Sequence, residues 1–309
     1  MPTIFAIGET IYDIIFERGQ PKAARPGGSM LNTAVSLGRC GLKVEMLTEL
    51  GTEQAGQIVL DFLKQNGVST AFTQPVDGFK TPIALAFLDE MGNANYSFYF
   101  NYPEKRLNFS WPEPIKGDVV LFGAFYSLDP AIRQKISGFV KKAKQNGAFI
   151  MYDPNIRKNH LGETMKLMSY VEENFTLADI VRGSDEDFEN LFGLTDGKEV
   201  FKRTRAAGCK YLIYTRNSEG AEVLTDRFHA LVPAKSVKVV STIGAGDSFN
   251  AGIIYGLVSK GLAGSDLSLV RREGWMELLG YGVSFAADVC GSYDNYISVD
   301  LIRKERYLG

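Results

Sequence analysis

Apolar residues follow two rhythms along this chain. Short apolar runs at residues 3–7, 44–50, 118–122, 148–152, 180–182 and 211–215 read as buried strands. Between them, apolar positions recur at helical spacing: Leu31, Ala34, Val35 and Gly38; then Ala55, Ile58, Val59, Phe62 and Leu63, closed by Gly67; then Ile132, Ile136, Val140 and Ala143. Buried strands alternating with amphipathic helices predict an α/β fold, a central mostly parallel sheet flanked by helices. Residues 81–100 break the rhythm. Ile83, Leu85 and Phe87, then Tyr96, Phe98 and Phe100, alternate with period two around Met91-Gly92-Asn93, a hairpin signal. No helix connects these strands, so the hairpin is expected to leave the main sheet and form a small β-strand lid with the extended stretch 11–16. The expected organisation is one domain over 1–309, with a discontinuous lid from about 11–26 and 71–103. Pro26-Gly27-Gly28-Ser29 reads as a turn carrying a helix N-cap.

Composition changes this picture little but excludes several classes. Of 309 residues, 45% are hydrophobic and 23% charged, which provides for a sizeable core and excludes a disordered or collagen-like chain. The formal net charge is −2, so no basic excess suggests a nucleic-acid partner. Lys141, Lys142 and Lys144 read as a solvated helix face. Cys40, Cys209 and Cys290 are widely spaced and form no CxxC, which suits a reducing compartment. Glu9 and Asp13 interrupt the first apolar stretch, and no run reaches membrane-spanning length. A cytoplasmic protein without a membrane partner is expected.

Most of the chemistry sits in one run. An apolar stretch reaches Gly244-Ala245-Gly246-Asp247, and a helix follows whose expected buried face is Ala251, Ile254, Leu257 and Val258. The glycines let backbone N–H groups turn toward one point. The helix adds its unpaired donors and its dipole, and together these suit a phosphate. A carboxylate beside such a cradle can take the proton of an attacking hydroxyl. The run alone also reads as a first-turn carboxylate that the dipole favours. A dinucleotide fingerprint fails because Phe249 stands where glycine or alanine is needed, and no GxxxxGK[ST] occurs.

With Gly8-Glu9 and Asp13, with Gly27-Gly28 and Asn32 (a GGxxxN pattern), with Asp153-Pro154-Asn155-Ile156-Arg157 (DPNxR), and with Thr242 to Asp247, the sequence resembles the ribokinase-like (PfkB) carbohydrate kinases, in particular their fructokinase branch. The four elements stand in that family's order over nearly the whole chain. The resemblance implies that Asp247 is the catalytic base, with Gly244, Ala245 and Gly246 holding the transferring group. It implies that Asp13, Gly28, Asn32, Asn155 and Arg157 meet the substrate. Ser184, Asp187, Thr215 and Gly220, with Gly244 and Gly246, would lie on the ATP side, and Asp187 would reach Mg²⁺ through water.

Three positions depart from the family pattern. Ser241 stands where an aspartate is usual, which leaves potassium activation in doubt. Ser184 replaces a common asparagine, and Asn217 a common glycine, although asparagine tolerates the left-handed conformation. His160 and His229 read as exposed and uninvolved.

The expected activity is ATP-dependent phosphorylation of a primary sugar hydroxyl, fructose first. 2-Keto-3-deoxygluconate, ribose and nucleosides are the alternatives within the class. The sugar acid would want an arginine near the lid, and Lys105 and Arg106 are the nearest cations. The departures leave a catalytically weak sugar sensor as the reading of another class. The aromatic lid edge suggests a homodimer.

Overall fold

The computed structural model describes residues 1–89, 94–156, 158, 161–263 and 267–301. The turn at 91–93, Arg157 and His160 therefore lie outside the described residues. The first part of the chain runs β1 (Thr3–Ile7), β2 (Ile11–Glu17), β3 (Gln20–Gly27), α1 (Ser29–Arg39), β4 (Lys43–Gly51), α2 (Gln54–Gln65), β5 (Val68–Ser69), β6 (Thr73–Val76), β7 (Ile83–Leu88) and β8 (Ala94–Tyr99). The middle runs β9 (Val119–Gly123), α3 (Arg133–Gln145), β10 (Phe149–Asp153), α4 (Leu161–Lys166), α5 (Met168–Leu177), β11 (Ile180–Ser184), α6 (Asp185–Phe192) and α7 (Gly197–Ala206). The last part runs β12 (Leu212–Arg216), β13 (Gly220–Leu224), β14 (His229–Val232), α8 (Ala245–Ser259) and α9 (Arg272–Cys290).

Among the described residues the main sheet has the order β14-β13-β12-β11-β10-β9-β1-β4-β5, with β6 also on β4. Its pairs from β4 through β12 are parallel, and β12, β13 and β14 pair antiparallel. The period of two sends alternate side chains to opposite faces. Ile4, Ala6, Val119 and Leu121 enter one core with α1, α2, α8 and α9, while Phe5, Ile7, Val120 and Phe122 enter the other with α3, α5, α6 and α7. Full burial of each large apolar side chain contributes about 1.5–3 kcal/mol, so the sheet is held from both sides.

The lid is a small sheet of its own. It is a four-stranded sheet in the order β3-β2-β7-β8, with β2 and β7 parallel and the outer pairs antiparallel. Residues 20–27 form its edge strand. Pro21 and Pro26 are compatible with that edge because the missing N–H has no neighbour to serve. The lid's second half does not begin near residue 71, since β6 pairs with β4 in the main sheet. The buried face of β7 is also the opposite of the expected one. Ala84 and Ala86 are buried, whereas Ile83 and Leu85 are partly exposed and Phe87 is exposed. The stripe on α2 is rotated likewise: Gly56, Val59 and Leu63 are buried and Ile58 is exposed. Any Cβ on Gly56 would stand 2.0 Å from the carbonyl oxygen of Gly51, so this helix lies directly on the end of β4.

Candidate active site

The strand order reverses at β1, which lies between β9 and β4. In open α/β sheets ligands bind beyond the carboxyl ends of strands at such a switch point. Gly8 and Glu9 follow β1 there, Gly123 ends β9 and Asp153 ends β10.

Asp247 lies in the first turn of α8 and is 9% exposed. Two residues of α1 hold its carboxylate: the Ser29 hydroxyl donates to Oδ1 at 2.6 Å, and Asn32 Nδ2 donates to Oδ2 at 2.8 Å. Thr33 donates to the Asp247 carbonyl oxygen at 2.9 Å, which ties the first turns of α1 and α8 together. Ser29 is therefore not the N-cap of α1. That position belongs to Gly28, which makes no side-chain cap, and the serine hydroxyl orients Asp247 instead. Asn32 is buried, and among the described residues its Oδ1 has no hydrogen-bond partner. One end of this amide holds the carboxylate and the other is left to accept from a ligand.

The two glycine pairs have different local reasons. Gly28 has φ 115°, and a Cβ there would stand 2.4 Å from the Glu9 carbonyl oxygen. A Cβ on Gly27 would meet an Asp13 carboxylate oxygen at 2.0 Å, so Asp13 of β2 packs flat against the backbone entering α1. Asp13 is buried and lies against the Gly27 backbone, which leads into α1, the helix of Asn32. Gly244 is the left-handed N-cap of α8, and no side chain caps that helix, so first-turn donors remain for an anion. A Cβ on Gly244 would collide with the backbone of Asn295, and one on Gly246 would stand 2.9 Å from Arg182 Nη1. Asn295 is buried, and neither of its amide atoms has a partner among the described residues. Next to it, Arg25 of the lid bonds to the Tyr293 carbonyl and to Asp294 at 3.2 Å. The lid edge and the support of the cradle thus share one loop.

A buried network that sequence reasoning missed underlies the cradle. Arg182 donates to Asp153 Oδ2 at 3.0 Å and to the Thr215 hydroxyl at 2.8 Å, and Asn250 of α8 also donates to Asp153. Burial pushes the Asp153 carboxyl up to about 6, against the opposing pull of Arg182. The available signal was a charged residue at the end of each of two apolar strand runs, Asp153 directly after 148–152 and Arg182 closing 180–182, but neither charge alone indicates a partner.

The expected ATP-side residues separate. Ser184 caps α6 in a capping box with Asp187. Asp187 accepts from the Ser184 N–H and hydroxyl, both at 2.7 Å, and from the Ile156 N–H at 2.7 Å. Three donors leave one of its roughly four lone-pair sites for a water. Thr215 lies against Arg182, so it joins the Gly244–Asp247 region. Gly220 is set by packing, since a Cβ there would stand 2.2 Å from the Val232 carbonyl oxygen. Asn155 has φ 42° and its N–H bonds to Asp153 at 3.0 Å, which places it beside the site. Asn217 adopts φ 41°, the left-handed turn conformation expected of it. The Ser241 hydroxyl accepts from the Ile243 N–H at 3.2 Å. His229 is not isolated: its Nε2 bonds to the buried carboxylate of Glu222.

Comparisons with known proteins identify the family and the fold. Residues 1–298 match the model of the pfkB family carbohydrate kinases. A fructokinase of Rhizobium leguminosarum bv. trifolii is 31% identical over 265 residues, 82% of this chain and 79% of the relative. Among solved structures, the Vibrio cholerae fructokinase with fructose, ADP and calcium bound superposes with a TM-score of 0.84 at 22% identity, covering 98% of both chains. The aminoimidazole riboside kinase of Salmonella enterica, solved with aminoimidazole riboside and an ATP analog, gives 0.80 at 20% identity over 98% and 99%. The chain thus belongs to the pfkB family and is an ATP-dependent carbohydrate kinase.

Proposed function

We propose that the chain transfers the γ-phosphoryl group of ATP to a primary hydroxyl of a small sugar, with fructose to fructose 6-phosphate the preferred reaction. One observation carries this reading: a buried carboxylate, Asp247, is fixed by Ser29 and Asn32 at the mouth of an uncapped helix. A base must be in reach of the hydroxyl it deprotonates, and a phosphoryl group in flight needs preorganised donors. Asp13 and the unpaired Asn32 Oδ1 supply acceptors for sugar hydroxyls, and the first turn of α8 supplies donors for the transferring oxygens. Among the described residues no group of three or more His, Cys, Asp or Glu converges on a metal. This fits Mg²⁺, which usually arrives with phosphates and keeps its waters, with Asp187 in reach through one of them. When bound, the ion would neutralise charge on the phosphate tail.

Fructose is favoured by the similarity to the Rhizobium fructokinase. A riboside acceptor is the second reading, supported by the likeness to the aminoimidazole riboside kinase and by the aromatic cavity beside the lid, where Phe98, Phe100, Tyr102, Phe125 and Tyr126 meet. A second copy of the chain would cover the outer lid face, where exposed Phe87 stacks on Phe16 at 5.0 Å. A cytoplasmic location is supported by the three cysteines, none of which forms a disulfide among the described residues. The test is ADP release across a panel of fructose, ribose, nucleosides and sugar acids. Fructose should give the highest kcat/KM, and a panel in which fructose is inert would overturn this choice.

A further inference from the structure

A second cavity, of about 260 Å³, is lined among others by Arg205, Lys210, Tyr211, Arg227, Phe228 and Trp275. Tyr211 directly precedes β12, whereas Thr215, near the other end of that strand, meets Arg182 under the cradle. Four residues of strand span about 13 Å, so this cavity sits at the amino end of β12, across the sheet from the site described above. Its walls come from separate elements: the last turn of α7, the turn joining β13 and β14, the 3₁₀ turn at Leu267–Leu269, and α9. Side chains fix the β13–β14 turn. The Thr225 hydroxyl donates to the Phe228 carbonyl at 2.9 Å and accepts from the N–H groups of Arg227 and Phe228 at 3.1 and 3.0 Å. Arg227 Nη1 bonds to the Ser268 carbonyl and closes this turn against the segment that leads into α9.

Charge and aromatic surface select the ligand. Among the described lining residues three cations, Arg205, Lys210 and Arg227, stand against one carboxylate, Asp226. Arg205 takes up that carboxylate through Nε and Nη2, each at 2.9 Å. Lys210 and Arg227 form no ion pair among the described residues, and Asp179, on which the Lys210 charge also pulls, is already paired with Lys144 at 3.7 Å. Below this rim the half-buried Tyr211 ring stacks on Trp275, with ring centres 5.1 Å apart. Trp275 is fully buried, and its indole N–H has no hydrogen-bond partner among the described residues. Buried donors are rarely left over, and the cavity that Trp275 borders is where a partner can enter. A flat ring would extend the Tyr211–Trp275 stack, while an anionic group on it would meet Lys210 and Arg227. The volume lies just below the range for drug-sized ligands, which suits a single ring with one charged group. We propose that this cavity binds a small aromatic anion, a ring bearing a phosphate or a carboxylate, at a site separate from those of sugar and ATP.

Intrinsic fluorescence reads this cavity, because Trp275 is one of two tryptophans and Trp111→Phe leaves it alone. Phenyl phosphate and benzoate are titrated into that variant in the presence of a saturating non-hydrolysable ATP analogue, which fills the phosphate cradle. At least one of the two should change the Trp275 emission with a Kd of about 1 mM or tighter, and the stronger binder separates a phosphate ligand from a carboxylate one. Uncharged benzyl alcohol should bind at least about tenfold more weakly, and inorganic phosphate, which lacks the ring, about threefold or more. Lys210→Gln combined with Arg227→Gln should weaken the aromatic anion about tenfold and leave ADP release in its absence unchanged. Lys210→Gln alone, on an exposed side chain, should weaken it about threefold and carries the test if the double variant does not fold. Calorimetry on the parent chain gives the same affinities if Trp111→Phe does not fold. Binding of neither anion, equal affinity for benzyl alcohol or inorganic phosphate, or undiminished binding in the Lys210 and Arg227 variants overturns the proposal.

Discussion

Replacing Asp247 by asparagine exchanges one carboxylate oxygen for an amide nitrogen and leaves the side-chain shape almost unchanged. Oδ1 would still accept from Ser29, but the new nitrogen would face Asn32 Nδ2, donor against donor. Rotation of the Asn32 amide removes that clash, because its Oδ1 has no partner to lose. The stability cost should therefore be that of one exchanged hydrogen bond, about 1 kcal/mol. The catalytic cost should be much larger. A positioned general base contributes about 10²–10⁴-fold, or roughly 3–5 kcal/mol of barrier. Sugar affinity should fall only modestly, since the rotated amide turns a donor toward the place where a sugar hydroxyl would have found an acceptor. The assay pairs steady-state ADP release, separating kcat from KM, with calorimetric sugar binding and thermal denaturation. A variant that folds, binds sugar and retains kcat within about threefold of the parent would refute Asp247 as the base.

Further outcomes follow from neighbouring contacts. Gly246→Ala forces its Cβ against the Arg182 guanidinium, so it should cost about 1–3 kcal/mol and lower kcat; urea denaturation and ADP release check both, and an unchanged midpoint would count against the packing argument. Exchanging potassium for sodium or a bulky organic cation should change the rate less than about twofold, because Ser241 brings no carboxylate to balance a bound ion; activation of tenfold or more by potassium would contradict this. The Asp153 carboxyl, raised to about 6 by burial against the pull of Arg182, with Asp187 and Asp247 adding to the rise, stabilises the fold more in its protonated form. Its contribution is fully present below its ordinary value of 3.8 and is lost as pH rises through about 6, so this group should add roughly 1 kcal/mol between pH 7 and pH 5. Asp153→Asn should abolish that slope in urea titrations at the two pH values. Phe87→Glu on the outer lid face should leave a monomer by light scattering, and an unaltered oligomer would exclude that face as the interface.

Features that local chemistry dictates were legible in the sequence. Gly244, Gly246 and Asp247 stand out because a left-handed, uncapped helix start needs the backbone freedom of glycine. The main sheet was legible because strands buried on both faces cannot hide their apolar runs. Partnerships over long sequence distances were not. Ser29 and Asn32 reach Asp247 across 218 and 215 residues, and nothing near Ser29 distinguishes an orienting hydroxyl from a helix cap. Arg182 is one charge at the end of a strand until β10, β11 and α8 bring Asp153 and Asn250 to it. The alanine face of β7 was hidden for another reason. Where a lid lies close over its base, the buried side is the one with small side chains, and ranking positions by hydrophobicity selects the wrong face.

Arg25 gives the loop at 293–295 two tenants. From one side the lid edge grips Tyr293 and Asp294; from the other, Asn295 lies under Gly244 at the N-terminus of α8. If the sites are as proposed, acceptor and donor would press on one short piece of backbone. Reciprocity is then obligatory: whatever factor the sugar contributes to nucleotide affinity, the nucleotide returns to sugar affinity. A change at Arg25, which touches neither reacting group, would be felt as a smaller cross-term between two ligands, with each ligand's own affinity nearly kept.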